Sequence, residues 1–215
     1  VEYMEPMIQI LLINLLLSGD NAIVIAMASR NLPNEIQRKA IWWGTAGAIS
    51  MRVLFTFIMI HLLKMPFIHL IGGILLVYIA YKLLVDNQEN HSVKSGESLK
   101  EAVTIIVFAD VIMSLDNVLA LTAIADSNLP LIIVGIMLSI PIILTASELF
   151  LKIINKYPII IFIGAGLLAW TAGEMIIKEQ RIQYFFRANQ ISELTVLTAI
   201  TVFTVLVGTI KRGRI

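Results

Sequence analysis

The chain of 215 residues has no cysteine and little charge, with Asp, Glu, Lys and Arg making up only 14%. Without cysteine there are no disulfides and no thiolate metal sites, and the compartment stays open. So little charge excludes an ordinary soluble domain, whose surface needs more polar residues than this. With 58% hydrophobic residues and a mean hydropathy of +0.88, most of the surface is expected to face lipid. The net charge of +1 supplies no field to attract nucleic acid or acidic substrates. The first residues carry Glu2 and Glu5 and no basic run, so no cleavable signal peptide is predicted. There is no nucleophile–base set and no phosphate-binding glycine loop, so neither an enzyme nor a prosthetic group is predicted.

What is present is a series of long apolar runs. A membrane helix takes about 20 residues. Runs near 6–29, 40–62, 66–86, 101–125, 130–151, 158–177 and 194–211 meet that length. The predicted fold is therefore all-α and membrane-embedded, with seven transmembrane helices. The segments 87–100 and 178–193 are polar and read as loops. Basic residues set the orientation. With the N-terminus outside, one side collects eleven: Arg30, Arg38, Lys39, Lys82, Lys94, Lys100, Lys152, Lys156, Lys211, Arg212 and Arg214. The other side collects four, Lys64, Lys178, Arg181 and Arg187, and Arg52 falls inside a span. The N-terminus is predicted outside and the C-terminus in the cytoplasm.

The chain also repeats itself. Asn14, Ser18, Asp20 and Asn21 match Asp110, Ser114, Asp116 and Asn117 at an offset of 96. Each set is followed by Asn-Leu-Pro, at 31–33 and 128–130. Pro66 and Gly72 match Pro158 and Gly164 at an offset of 92. Spans one to three and four to six are thus two copies of one unit. Three spans per copy make the second enter from the opposite face, an inverted repeat of the kind common in secondary transporters. The predicted organisation is a single transmembrane domain: repeat one over 6–86, a cytoplasmic loop over 87–100, repeat two over 101–177, and an extra C-terminal helix over 194–211.

The repeated motif puts acids inside the membrane. Each charge at the bilayer centre costs roughly 2.5–3.5 kcal/mol on insertion scales, so Asp20, Asp110 and Asp116 need a compensating role. Asn14 and Asn21 are seven residues apart, as are Asp110 and Asn117, which puts each pair on one helix face. Asp20 and Asp116 lie beside that stripe, and a local break at Ser18–Asn21 would bring Asp20 onto it. Leu115 stands in place of Gly19 in the second copy, which weakens the case there. The candidate metal site is Asp20, Asn21, Asp110, Asp116, Asn117 and Asn14. These are hard oxygen donors, suited to Mg²⁺, Ca²⁺ or Mn²⁺. The bland alternative is that the acids are hydrogen-bonded packing elements or pair with Arg52. An empty site would crowd like charges in a low dielectric, so protons and metal are expected to compete for it.

Other polar residues carry weaker signals. Arg52 reads as charge compensation for the acids, with a gating role as the sharper alternative. Glu148 is either a partner for a basic residue or a vestibule acid, and Glu174 reads as interfacial. Met27, Met113 and the histidines read as packing or interfacial residues. Pro141 is expected to kink its helix.

The segments Leu17–Ala22 and Ser114–Val118 resemble the paired motifs of the TerC family of integral membrane proteins, and the resemblance covers spans one to six. It implies a multi-pass protein of the bacterial cell membrane that exports a divalent metal, chiefly manganese, as substrate. Asp20, Asn21, Asp116 and Asn117 match the motif acids and amides, and Asp110 the extra acid of the second motif. The family is grouped with LysE-type exporters of the same three-plus-three plan. Two other readings stay open: transport of another cation such as calcium or sodium, and a non-transporting, metal-binding membrane partner of the secretion machinery. The expected partners are the lipid bilayer and the metal ion, and the sequence is compatible with a homo-oligomer.

Overall fold

The computed structural model describes residues 19–62, 67–85, 95–124, 129–188 and 191–212. These form eight helices: α1 (Gly19–Ser29), α2 (Asn34–Leu62), α3 (Ile68–Val85), α4 (Ser95–Ile124), α5 (Leu129–Lys156), α6 (Ile159–Lys178), α7 (Gln180–Ala188) and α8 (Glu193–Arg212). Among the described residues there is no strand. Five helices are long and apolar enough to cross a membrane, over Asn34–Ile58, Ile68–Val85, Ile132–Lys156, Ile159–Lys178 and Glu193–Arg212. The other two of the seven expected spans fall partly outside the described residues: α1 covers only 19–29 of the first, and α4 covers the second to Ile124. Two segments expected to be loops are partly helical. Residues 180–188 form α7, and α4 starts at Ser95.

The chain divides into two compact units, Val1–Leu62 with Val93–Lys156, and Leu63–Ser92 with Tyr157–Ile215. Each unit takes elements from both copies of the sequence repeat.

In the first unit α1 packs on α2, α4 and α5. Ala22, Val24, Ile25, Ala26 and Met27 are buried, as expected of a helix apolar on all sides. Its C-terminal turn is tied down by polar groups. The Gln37 amide donates from Nε2 to the Ser29 carbonyl at 3.0 Å, and Arg30 Nη1 donates to the Met27 carbonyl at 3.4 Å. Both satisfy carbonyls that the helix itself leaves open, and the arginine also complements the helix dipole. Helix α2 packs on α4. A side chain on Gly44 would meet Ile106 and one on Gly47 would meet Val107, so residue numbers rise together and the two helices run parallel. Helix α5 continues through Pro141.

In the second unit α3, α6 and α8 pack on one another. Gly73, early in α3, faces Ala172 and Ile176 late in α6, so the two helices run antiparallel. Leu84 meets Gly208, which makes α3 and α8 parallel. The Arg181 guanidinium lies 4.7 Å from the Phe67 ring centroid, and that of Arg212 lies 5.4 Å from the Phe162 centroid. Each end of the unit therefore carries a cation over an aromatic face, the pairing favoured where helices leave the lipid.

The outward faces are apolar. Trp43 on α2, Ile163 on α6 and Phe203 on α8 are 67%, 60% and 68% exposed, which water would penalise and lipid tolerates. Several hydroxyls are satisfied within their own helices: Ser147 donates to the Ile143 carbonyl at 2.7 Å and Thr204 to the Ile200 carbonyl at 2.8 Å. That is the required solution where no water is available.

A Cβ on Gly73 would lie 2.7 Å from the Ala172 carbonyl oxygen, backbone that cannot step aside, whereas one on Gly166 meets nothing closer than 3.8 Å. Gly73→Ala is expected to cost about 1–3 kcal/mol by overpacking and Gly166→Ala to be near neutral. Thermal unfolding of the two variants in detergent checks this.

Candidate metal centre

The site residues are carried by α1 and α4, with α2 beside them. Asp20 sits in the first turn of α1 and is half-buried, and its Oδ1 accepts a hydrogen bond from the Asn21 backbone N–H at 2.9 Å. Asn21 is 3% exposed. Neither its amide nitrogen nor its amide oxygen has a hydrogen-bond partner among the described residues. A buried amide left this way costs about 1–3 kcal/mol, so both atoms are poised for a partner that the described residues do not supply.

On α4 the seven-residue spacing does what the sequence implied. Asp110, Ser114 and Asn117 are all buried on one face. Helix α4 runs unbroken from Ser95 to Ile124, so no local break occurs at Leu115–Asp116. Asp110 is gripped by Arg52 of α2. Nε donates to Oδ2 at 3.3 Å, and Nη2 forms a short ion pair with Oδ1. Ser114 Oγ adds a donor to Oδ2 at 3.3 Å. Arg52 is 1% exposed and is among the largest fully buried side chains of the described residues. On α2 itself, Thr56 Oγ1 donates to the Arg52 carbonyl at 2.8 Å. Asp20 lies near enough to feel the charges of both Arg52 and Asp110. Asp20, Arg52 and Asp110 thus form one electrostatic group, with the orphaned Asn21 amide adjoining Asp20.

Two expected ligands are not placed. Asn14 lies outside the described residues, as does the side chain of Asp116, although its backbone is part of α4. Among the described residues no three His, Asp or Glu side chains gather into a metal-holding group. Glu148 is exposed on α5, and Glu174 accepts a hydrogen bond from Trp170 Nε1 at 2.9 Å. Met27 and Met113 are buried in the packing of the first unit. The sequence reading missed Gln37, which lies in the largely polar stretch 34–39 ahead of the second span and carries no signal that sets it apart there.

Long apolar helices with lipid-compatible outer faces, enclosing a charged group, define a polytopic α-helical membrane protein. The chain belongs to the TerC family of integral membrane proteins, which it matches over residues 2–214. It is 39% identical over 209 residues to the Uncharacterized membrane protein YjbE of Bacillus subtilis, covering 97% of this chain and 95% of that one. Identity to the Uncharacterized membrane protein YceF of the same organism is 29% over 153 residues, 66% of this chain and 59% of that one. The UPF0053 inner membrane protein YoaE of Escherichia coli is 25% identical over 182 residues, which are 75% of this chain and 35% of the longer relative. No solved structure matches the chain.

Removing one member of a buried ion pair costs about 3–5 kcal/mol because the other charge is stranded. Arg52→Ala and Asp110→Ala are each expected to lower stability on that scale. The double variant Arg52→Gln with Asp110→Asn should recover a large part of the loss. Unfolding in detergent of all three against the wild type measures it.

Proposed function

We propose that the protein is a divalent-cation transporter of the bacterial cytoplasmic membrane that exports manganese. The observation that carries this reading is the group of Asp20, Arg52 and Asp110 inside an apolar helix bundle, next to a buried Asn21 amide without a partner among the described residues. Ionisable residues within membrane helices mark ion pathways. Carboxylate and amide oxygens are the donors a hard divalent cation takes. An ion pair alone would serve a purely structural partner equally well, and it is the unsatisfied amide that favours a ligand. Asp116, Asn117 and Asn14 complete the proposed ligand set from the repeat. The antiparallel run of α3 and α6 supports an inverted relationship of the copies. Manganese, as against calcium or sodium, rests on the family resemblance and not on geometry.

The deciding experiment is ion flux into proteoliposomes over a panel of manganese, magnesium, calcium and sodium. Manganese flux in the wild type, lost in Asp20→Asn and Asp116→Asn with the helical content kept, is the expected result. Flux of calcium or sodium alone would change the substrate. No flux of any ion would leave the non-transporting role. A pH gradient imposed on the same vesicles should change the rate if protons are exchanged for metal.

Because the chain has no cysteine, single introduced cysteines report topology without background. Ser192→Cys is expected to react with an impermeant maleimide on intact cells, and Asn87→Cys only after permeabilisation. The reverse pattern would invert the proposed orientation.

A further inference from the structure

We propose that Arg52 is a tethered counter-cation that holds Asp110 while the site carries no metal and is displaced from it when a divalent ion binds. The proposal rests on the transport reading above and concerns how that site is loaded and emptied. Asp110 uses both carboxylate oxygens on the guanidinium, Oδ1 toward Nη2 and Oδ2 toward Nε, and Oδ2 also takes the Ser114 hydroxyl. These donors occupy most of the lone-pair sites of the carboxylate, and a guanidinium held on it repels a divalent cation arriving at the same group. Arg52 and the metal therefore compete for Asp110.

Three features fit such a competition. The guanidinium keeps its charge at any physiological pH, so it leaves Asp110 by moving and not by losing a proton. Asp20 lies within electrostatic reach of both members of the pair, so a divalent ion drawn to Asp20 repels Arg52 at the point where it would take over Asp110. The Asn21 amide, 3% exposed and without a partner among the described residues, stands ready as a further donor beside Asp20. With Arg52 on Asp110 the empty site keeps one buried carboxylate charge-balanced. That lowers the cost of carrying it through the low-dielectric interior between one metal ion and the next.

The test is Mn²⁺ binding to the full-length protein in detergent, read by the loss of the free Mn²⁺ electron-spin signal. It compares the wild type, Arg52→Gln, Asp110→Asn and the double variant. Arg52→Gln is expected to bind Mn²⁺ about tenfold more tightly, equivalent to roughly 1.4 kcal/mol, because the ion no longer has to displace a competitor. In the Asp110→Asn background the same substitution should leave affinity unchanged within about twofold, the two effects being coupled through one carboxylate. If Arg52→Gln does not fold, Arg52→Lys, which keeps the charge but not the planar fork, should bind more tightly than wild type by a smaller factor. A merely structural arginine would give equal or weaker binding on substitution. That result, or an equal gain with and without Asp110, overturns the proposal while leaving the transport reading in place. No Mn²⁺ binding by the wild type would overturn both.

Discussion

A guanidinium and a carboxylate held together where almost no water reaches are the constraint on which the first unit depends. Either charge alone would be costly at that depth, and together they are tolerable only if the two helices meet in one register. Arg52 and Asp110 fix that register. The same alignment brings Gly44 against Ile106 and Gly47 against Val107, where the missing side chains let α2 approach α4 closely. Close approach in turn shuts solvent out of the pair. Small residues and charge thus support each other, and neither would be acceptable in this bundle without the other.

The second unit is organised differently. Glycine contacts join α3, α6 and α8. Two of its cations, Arg181 and Arg212, sit at the ends over Phe67 and Phe162. The chemistry proposed for the protein therefore falls in a unit built around buried polarity, while the other unit is packed as lipid-embedded helices commonly are.

Much of this was legible in the sequence. Runs of apolar residues located five membrane helices, because hydropathy and helix length are local properties. The seven-residue spacing put Asp110 and Asn117 on one buried face of α4. Arg52 was expected to balance an acid, but which one could not be read. Asp20, Asp110 and Asp116 all qualify by depth, and only packing brings Asp110 to the guanidinium. Helix α7 was taken for a loop because its polar residues mask its two-sided character, with Arg181 and Gln183 interleaved among Ile182, Tyr184 and Phe185. The partition into two units was also hidden. A repeat along the chain records which segments are alike and not which ones pack together.

The separation between Arg52 and Asp110 along the chain, 58 residues, has a consequence for biogenesis. Ribosomes deliver helices in order from the N-terminus, so α2 is finished before the anion that neutralises its cation has been made. The half-synthesised chain is thus a poorer guest of lipid than the complete one. Stable insertion of the second helix is therefore expected to depend on the arrival of the fourth.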